Sequence, residues 1–592
     1  MDQRNLFIAI AISIAILIGF QYVAERFQPP PQPTEQAKTG AESGASAPGA
    51  NKAPSGGVPA GAPSVAGEAK TAPRAQVLAR SPRVAIDTPR LKGSINLIGG
   101  RIDDLTLTAY RETVDPKSPE IVLLAPDGSE HPYFLQFGWV AADPDVKVPG
   151  PDARWTSSGG TLTPGHPTDL TWDSGTGLKF TRHIALDSDY MFTITDRVTN
   201  SGSAAVKLSP YVVDVRKGGI EVSRTYLLHE GPIGVTDGRL HDGSCVPLLG
   251  CDPFNYDEMK KNAHERFATT GGWFGFTDKY WLTALVPPRG AQVTAELQYG
   301  KPGDVDVYQA DYIGAAQEVA PGATVTEESR AFAGAKEVAL LDRYETQYRI
   351  QNFDRAIDFG WFYWITKPIF LTLDFFYKLL GNFGLAILLL TVIIKLVFFP
   401  LANKSYRAMS KMKKLQPEMQ KLREKFGDDK EKLNKETMAL YKRVGANPMA
   451  GCLPIVIQIP VFFSLYKVLY VTIEMRHAPF YGWIHDLSAP DPTTFVNLFG
   501  LLPFAPPHIA FLPVSLLHIG VWPLIMGLTM FLQQKLNPQP PDPVQAKMFM
   551  ILPVVFTFML AQFAAGLVIY WSWNNLLSIA QQWVIMRRAG AA

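Results

Sequence analysis

The sequence lacks most of the motifs by which catalytic and metal-dependent proteins are recognised. Only three cysteines occur in 592 residues, and no His-Glu-x-x-His motif, phosphate-binding Gly-x-x-x-x-Gly-Lys-Ser/Thr loop or serine nucleophile elbow is present. The missing motifs argue against an ATP-driven pump and against a membrane protease of the metal-dependent or serine kind. We therefore expect a protein without a catalytic site or cofactor.

Charged residues are also scarce, and they are unevenly distributed. They make up 19% of the chain against 47% hydrophobic residues, a balance that leans toward a membrane protein. As far as Tyr348 the sequence is polar and rich in Gly and Thr, whereas most later segments are apolar runs of bilayer-spanning length. The two halves therefore need separate interpretations.

The N-terminal residues 1–27 contain an apolar stretch, Leu6 to Val23, that follows Arg4. This pattern fits a cleaved secretory signal or a retained transmembrane anchor. No small-x-small cleavage site follows the stretch, so we favour an anchor with Arg4 in the cytosol. Residues 28–80 are rich in Pro, Ala, Gly and Ser and cannot bury much apolar area, which predicts a disordered tether.

Residues 81–345 show short strand-like segments separated by Gly, Pro, Asn and Asp turns. Apolar residues recur at even spacing at Phe192, Ile194 and Val198, and another group flanks Gly99-Gly100: Ile95, Leu97, Ile102, Leu105 and Leu107. The pattern predicts a large all-β sandwich domain. Such a domain also suits a sugar-processing enzyme, which would need two carboxylates facing a cleft, and the sequence does not locate such a pair.

The histidines and cysteines give this domain no evident chemistry. Its histidines occur singly and are interpreted as surface or core residues: His131, His166, His183, His229, His241 and His264. Cys245 and Cys251 could form a disulfide outside the cytosol, although their spacing does not require one. Cys452 is interpreted as a small packing residue at a helix start.

The second half predicts an interfacial helix followed by five membrane spans. Residues 346–381 mix aromatic and charged side chains, which favours an amphipathic helix in the membrane interface over another crossing. Residues 382–586 contain apolar spans at 383–401, 452–471 and 519–532, and two more within 548–585. The last run would be about 57 Å long as one helix, too long for a hydrocarbon core of about 30 Å, so it must fold back near 562–566.

Basic residues test this count of spans. They crowd the segment 402–447, flank the next predicted inside loop at Lys535 and Lys547, and form the short tail 587–592. By contrast, Arg476 is the only Lys or Arg between Met475 and Ile519. Six crossings, including the N-terminal anchor, put both termini in the cytosol and the β domain outside.

Lys395 is an ionisable residue within the span 383–401, on the same helix face as Thr391. Such a residue costs about 2.5–3.5 kcal/mol on insertion scales and suggests function, although a lysine near a helix end can also extend toward the headgroups. The five spans hold no Asp or Glu in their apolar cores, so water is its expected partner. Several polar residues suggest a groove open to the cytosol, although each could instead bond a neighbouring helix: Gln458, Gln562, Asn574, Asn575 and Ser578.

The segment 402–447 has an apolar residue every three or four positions, interrupted by Gly427, Asp428 and Asp429. The two runs are Met409, Met412, Leu415, Met419, Leu422 and Phe426, and then Leu433, Thr437, Leu440, Tyr441 and Val444. This predicts two antiparallel helices with a narrow apolar seam. The Met-rich, basic surface, which includes Lys413, could recruit apolar nascent chains or ribosomal RNA, or the hairpin could only enforce topology.

Several motifs of the second half resemble those of the YidC/Oxa/Alb insertase family. They are Asn382-Phe383-Gly384, Lys395 with Phe399-Pro400-Leu401, Gly427-Asp428-Asp429-Lys430, Met438-Ala439-Leu440-Tyr441-Lys442, Asn447-Pro448, Gly451-Cys452, Pro454, Gln458-Ile459-Pro460 and Trp483-Ile484-His485-Asp486-Leu487-Ser488. The resemblance covers about residues 353–586. The anchor, tether and β domain are similar in order to the Gram-negative type.

The resemblance implies a bacterial inner-membrane insertase and chaperone, with a periplasmic β domain and a five-helix core around a hydrophilic groove. Its substrates would be nascent membrane proteins, inserted alone or beside the Sec translocon, with membrane lipids as further partners and no DNA. Lys395 occupies the position of the family's groove arginine, and four residues match groove or substrate-contact positions: Thr391, Gln458, Tyr570 and Trp571. A lysine at this position keeps the positive charge but cannot bind a carboxylate in the bidentate way of an arginine. The short C-terminal tail is a second difference, and it puts ribosome binding through the tail in doubt.

Two other functional classes remain open from the sequence. A solute transporter or channel usually shows inverted repeats or broken helices, and no internal repeat is evident. A membrane-anchored carbohydrate enzyme would place its activity in the β domain.

Overall fold

The structure is a computed structural model that describes residues 71–220, 228–242, 254–426, 429–444, 453–502, 519–537 and 543–588. The predicted anchor, the three cysteines, and Gly427 and Asp428 lie outside the described residues.

The first half of the chain folds into two packed antiparallel sheets, which confirms the predicted sandwich. One sheet has ten strands with the path β1-β2-β3-β5-β10-β17-β16-β13, with β4 and β18 beside it, and the other has nine in the order β12-β11-β14-β15-β19-β9-β8-β7-β6. The strands are β1 Arg83–Asp87, β2 Leu91–Asn96, β3 Arg101–Arg111, β4 Glu120–Leu124, β5 Tyr133–Ala141, β6 Thr156–Ser157, β7 Thr168–Asp173, β8 Leu178–Leu186, β9 Met191–Asn200, β10 Val206–Lys217, β11 Gly231–Thr236, β12 Arg239–His241, β13 His264–Thr270, β14 Trp273–Thr277, β15 Trp281–Val286, β16 Gln292–Gly300, β17 Val307–Gly314, β18 Gln317–Val319 and β19 Thr324–Ala335.

Alternation along the strands builds the core between the sheets. Phe192, Ile194 and Val198 of β9 are buried, as the even spacing predicts, because alternate side chains of a strand point to the same face. The predicted strand pair around the two glycines is β2 and β3, where Leu91 pairs with Leu107. Gly99 and Gly100 both have positive φ, 77° and 61°, in the connection between these strands. Glycine is the residue that adopts this conformation without steric cost.

Eleven α-helices occur in the described residues. They are α1 Arg74–Leu78, α2 Tyr256–Lys261, α3 Val338–Tyr348, α4 Tyr363–Leu380, α5 Phe383–Val397, α6 Phe399–Phe426, α7 Lys430–Val444, α8 Leu453–Val471, α9 Val521–Leu536, α10 Pro543–Leu560 and α11 Ala565–Arg588. Short 3₁₀ helices span Phe353–Ala356, Ile473–Met475 and Phe495–Gly500, the last with a kink. Helix α1 lies in the segment predicted as tether, and Arg74 binds Asp104 of β3.

The helix predicted over residues 383–401 is wrong at its C-terminal end. Helix α5 ends at Val397, and α6 continues from Phe399 in a direction that differs by 67°. Pro400 explains the break, because proline lacks the amide hydrogen of a helical bond and disfavours helical geometry at the residue before it.

The lengths of the apolar helices can be compared with the thickness of a bilayer. Among the described residues, no single helix is both long and apolar enough for a span, whereas the bent pair α5 and α6 meets both criteria together. Two shorter apolar segments are Gln458–Val471 and Ala546–Leu560.

The long apolar run near the C-terminus folds back, as predicted. Residues 561–564 connect α10 to α11, so the turn is slightly earlier than residues 562–566. Two amides at the start of α11 bond to the loop that follows α8: Ala565 N donates to Ala489 O at 2.7 Å, and Gly566 N donates to Leu487 O at 2.9 Å.

Polar contacts join the β domain and the segment after it to the helices. Lys367 of α4 forms ion pairs with Asp342 at 2.8 Å and with Asp354 at 2.7 Å. The amide of Val338 at the start of α3 donates to Glu474 Oε1, beyond the end of α8, at 3.0 Å. These bonds connect the two halves at several points.

Candidate functional site

Lys395 lies in the last turn of α5, next to the bend, and its side chain is half-buried. Its Nζ donates to Ser578 Oγ of α11 at 2.8 Å, and Ser578 Oγ donates in turn to the carbonyl oxygen of Asn574 at 2.7 Å. No described carboxylate oxygen lies within 4.0 Å of this ammonium group. A lysine ammonium has three hydrogens to donate, so two remain for water or a ligand.

Tyr406 of α6 completes this cluster, and the sequence analysis missed it. Its buried hydroxyl hydrogen-bonds Ser578, so α5, α6 and α11 each contribute one polar side chain. The only sequence feature that could have indicated this role is that Tyr406 is an isolated aromatic residue near the start of a basic segment. The bend at Phe398 brings it next to Lys395, and a straight helix would not.

Thr391 is buried one turn before Lys395. Its hydroxyl donates to the carbonyl oxygen of Ile387 in the same helix at 2.7 Å. Nearby, Trp573 Nε1 of α11 donates to the carbonyl oxygen of Leu388 at 3.2 Å. Thr391 therefore bonds within its own helix, while Trp573 bonds α11 to α5.

Gln458 and Tyr570 meet between α8 and α11. The Gln458 side-chain amide donates to the Tyr570 hydroxyl, which is buried. The neighbouring Trp571 is half-buried, and its ring packs edge-on against Phe462 of α8, with 4.8 Å between the centroids. The structure thus brings three predicted site residues together at this helix contact.

The remaining polar residues of the predicted groove behave differently. Asn574 is half-buried and supplies its carbonyl to Ser578, whereas Asn575 donates to Thr529 of α9 at 3.2 Å, a bond between helices. Gln562 is exposed in the predicted turn before α11, outside the cluster around Lys395. The helical part of the chain between Gln562 and Ser578, from Ala565 to Ser578, alone spans about 20 Å at 1.5 Å per residue.

Helices α6 and α7 form the predicted hairpin. Leu415 and Leu440 are buried at its centre, packed by Met412, Met419, Leu422 and Tyr441. The Tyr441 hydroxyl donates to Met419 Sδ at 3.4 Å. Met412 and Met419 therefore fill the seam, while Met409 and Lys413 are half-buried outside this cluster. Exposed Asp429 accepts a bond from the Lys432 amide at 3.0 Å and caps α7.

Comparison with known proteins decides the family. Residues 375–591 match the family described as 60Kd inner membrane protein, and residues 83–372 match the YidC periplasmic domain. A protein of Granulibacter bethesdensis named membrane protein insertase YidC is 51% identical, with 99% of this chain and 98% of that protein covered. One of the same name from Rhizobium meliloti is 50% identical, with 100% and 96% covered. The chain belongs to the YidC membrane protein insertase family.

This membership confirms the resemblance found in the sequence. The protein is a membrane protein insertase of the inner membrane; its substrates are nascent membrane proteins, and it is not an enzyme. The transporter and the carbohydrate enzyme find no support among these relatives. A solved structure of an active YidC insertase is similar over 85% of this chain and 92% of its own, at 16% identity and a TM-score of 0.34.

In the part of the chain that the structure describes, no group of three or more His, Cys, Asp or Glu side chains could hold a metal ion.

Proposed function

We propose that Lys395 is the cation that draws the hydrophilic tail of a nascent membrane protein into a groove between the helices. The observation that carries this proposal is its ammonium group, which donates to Ser578 and has no described carboxylate within 4.0 Å. Placing a charge at this depth is costly, by about 2.5–3.5 kcal/mol on insertion scales, and no described carboxylate offsets that cost. A carboxylate on the substrate would offset the cost of placing this charge.

A line of polar side chains leads away from the ammonium group. Tyr570, Asn574 and Ser578 are four residues apart on α11 and lie on one helix face. Gln458 of α8 bonds the first of them, and Tyr406 of α6 bonds the last. These groups supply hydrogen-bond partners along about 12 Å of helix, the rise over eight residues.

The chemistry of insertion follows from these two features. An acidic tail is attracted to Lys395 through surroundings of low dielectric constant, where a charge interaction is stronger than in water. The polar line satisfies the backbone groups of the tail and shortens the hydrocarbon that it must cross. The apolar segment of the substrate then leaves toward lipid along α5 and α9. Trp571, whose ring packs beside Phe462, is the residue that contacts this segment.

The orientation and the protein partners belong to the same proposal. With the basic hairpin α6–α7 in the cytosol, both termini are cytosolic and the β domain is periplasmic. The hairpin surface around Met409, Lys413 and Asp429 receives nascent chains or the ribosome, together with Gly427 and Asp428, which lie outside the described residues. The protein inserts substrates alone or beside the Sec translocon, in contact with membrane lipids.

The experiment measures insertion of two single-span substrates into proteoliposomes, identical except for an acidic or an uncharged tail. Lys395→Ala should lower insertion of the acidic-tailed substrate about tenfold, a loss of about 1.4 kcal/mol, and Lys395→Arg should keep it. Ser578→Ala should give an intermediate loss, because it removes only the bond that positions the ammonium group. The matched control is Leu576→Ala on the same helix, where the side chain is 43% exposed.

The comparison of the two substrates decides the outcome. Insertion of the uncharged tail should be the same in all variants, since the charge of Lys395 then has no partner. Equal insertion of the acidic tail by wild type, Lys395→Ala and Lys395→Arg would contradict the electrostatic part of the proposal.

A further inference from the structure

A cavity of about 540 Å³ lies between the β domain and the loop that follows α8. None of the residues that line it is close to Lys395 in the sequence. Strand β3 and the residues after it contribute one wall, including Arg111, and the loop contributes Arg476, His477 and His485. No aspartate or glutamate is among the described residues that line it. The cavity therefore presents two guanidinium groups and two imidazoles without a carboxylate in its lining.

Hydrogen bonds hold the Arg476 side chain in place, but some of its N–H donors remain unused. Its Nη2 donates to the carbonyl oxygens of Arg111 at 2.5 Å and Glu112 at 3.2 Å, and its guanidinium lies 5.6 Å from the ring of Trp281. Among described residues, its Nε and Nη1 bind nothing, and no carboxylate lies within 4.0 Å. An arginine has five N–H donors in a planar fork, a geometry that suits phosphate oxygens.

The two histidines also have ring nitrogens available. The backbone amide of His477 donates to Asp486 Oδ1 at 3.2 Å, which fixes the loop, while neither its imidazole nor that of His485 bonds a described residue. Arg111 is less available, since its Nη1 donates to the Ser118 carbonyl at 2.6 Å. Arg476, His477 and His485 are therefore the groups that would bind a ligand.

The neighbouring residues indicate where that ligand comes from. Tyr481 and Trp483 belong to the same loop and are 63% and 39% exposed. Tyr and Trp are enriched at the level of the lipid headgroups, because their rings have an apolar body and a polar edge. The loop that lines the cavity thus carries exposed side chains of the kind found at the membrane interface. Arg476 is also the only Lys or Arg between Met475 and Ile519, a stretch where the positive-inside rule disfavours basic residues.

We propose that this cavity binds the phosphodiester headgroup of an anionic phospholipid in the leaflet that faces the β domain. Arg476 donates to the phosphate oxygens, and His477 and His485 complete the site. A lipid with an amine in its headgroup is disfavoured, since none of the described residues that line the cavity has a carboxylate to receive the ammonium group. Binding there would fasten the junction between the β domain and the helices to the membrane surface.

The test uses the full-length chain in a nonionic detergent and isothermal titration with soluble short-chain lipids. Dihexanoylphosphatidylglycerol should bind at least about tenfold more tightly than dihexanoylphosphatidylcholine or inorganic phosphate. Arg476→Gln should weaken phosphatidylglycerol binding by about tenfold. The control is Arg289→Gln, an exposed arginine in the turn between β15 and β16, which should leave the affinity unchanged.

A second variant protects the test against a folding defect. The double variant His477→Gln with His485→Gln leaves the bonds from Arg476 to the β domain intact and should weaken binding about fivefold. Unchanged affinity in both the Arg476 variant and the double variant overturns the site. Inorganic phosphate binding as tightly as phosphatidylglycerol overturns the assignment to a lipid.

Discussion

Lys467 Nζ of α8 donates to Asp358 Oδ2, in the segment before α4, at 2.7 Å, and the two side chains are only 14% and 10% exposed. The same carboxylate also accepts the backbone amide of His229, from the β domain, at 3.1 Å and that of Gly360 at 3.1 Å. A Cβ at Gly360 would lie 2.9 Å from Lys467 Cε, so a side chain there would displace the lysine from its position beside Asp358. Asp358 thus connects the β domain, the segment before α4 and a helix of the core.

Replacing this carboxylate should destabilise the junction strongly. Asp358→Ala removes a carboxylate from a buried ammonium group and two acceptors from backbone amides, which we expect to cost about 3 kcal/mol. The measurement is the free energy of unfolding in detergent. Asp374→Ala is the control, because its partner Lys378 is 70% exposed and such pairs contribute about 0–1 kcal/mol. A loss for Asp358→Ala no larger than the loss for Asp374→Ala would show that the connection at Asp358 contributes no more than an exposed ion pair.

Asp311 of β17 should make the stability of the β domain depend on pH. Burial raises the pKa of this carboxyl to about 8, with a contribution from nearby Glu296, although Gln309 and Gln298 donate to it. The folded state therefore keeps a proton that the unfolded chain, with a pKa of about 3.9, releases. Stability should fall as pH rises from about 4 to 8, by up to about 1.4 kcal/mol per pH unit.

Asp311→Asn isolates this contribution, since asparagine stays neutral over the whole range. The difference in apparent Tm between the variant and the wild type should grow in favour of the variant from pH 4 to pH 8. Asp145→Asn, at an exposed position, is the control and should follow the wild type. A difference that stays constant with pH would mean that Asp311 is not the group responsible.

The seam of the helix hairpin should be sensitive to truncation at Leu440. This side chain is 3% exposed and packs against Leu415, so Leu440→Ala leaves a cavity and should cost about 2–3 kcal/mol of local stability. Hydrogen exchange should become faster in α6 and α7 while the β domain keeps its protection. Met438→Ala, in the same helix but 54% exposed, should change exchange little. Faster exchange throughout the protein would contradict a hairpin whose local stability is independent of the β domain.

Local sequence patterns predicted the β sandwich, the hairpin and the fold-back near the C-terminus, because each depends on side-chain periodicity or on helix length. The contact between Lys395 and Ser578 was not predictable, since it depends on the packing of two helices whose residues are 183 positions apart. The bend at Phe398 was missed although Pro400 was visible. The apolar run of α5 continues past the bend into the first residues of α6, as far as Ala402, so hydropathy alone places those residues in the same span.

The assignment of polar residues shows the same limit. Gln562 and Asn574 look alike in sequence, as amide side chains in an apolar run, yet one is exposed in a turn and the other lies beside Ser578. Their roles are set by position along α11 and by the neighbouring helices. Sequence identified which residues could act, and packing decides which of them meet.

The bonds from Ala565 and Gly566 to the loop after α8 bear on the order of assembly. The acceptor carbonyls of Ala489 and Leu487 are synthesised 76 and 79 residues before the amides that bond to them. These acceptors are thus already present in the chain when the final helix emerges, and the bonds at this end of the bundle form only after α11 has been synthesised.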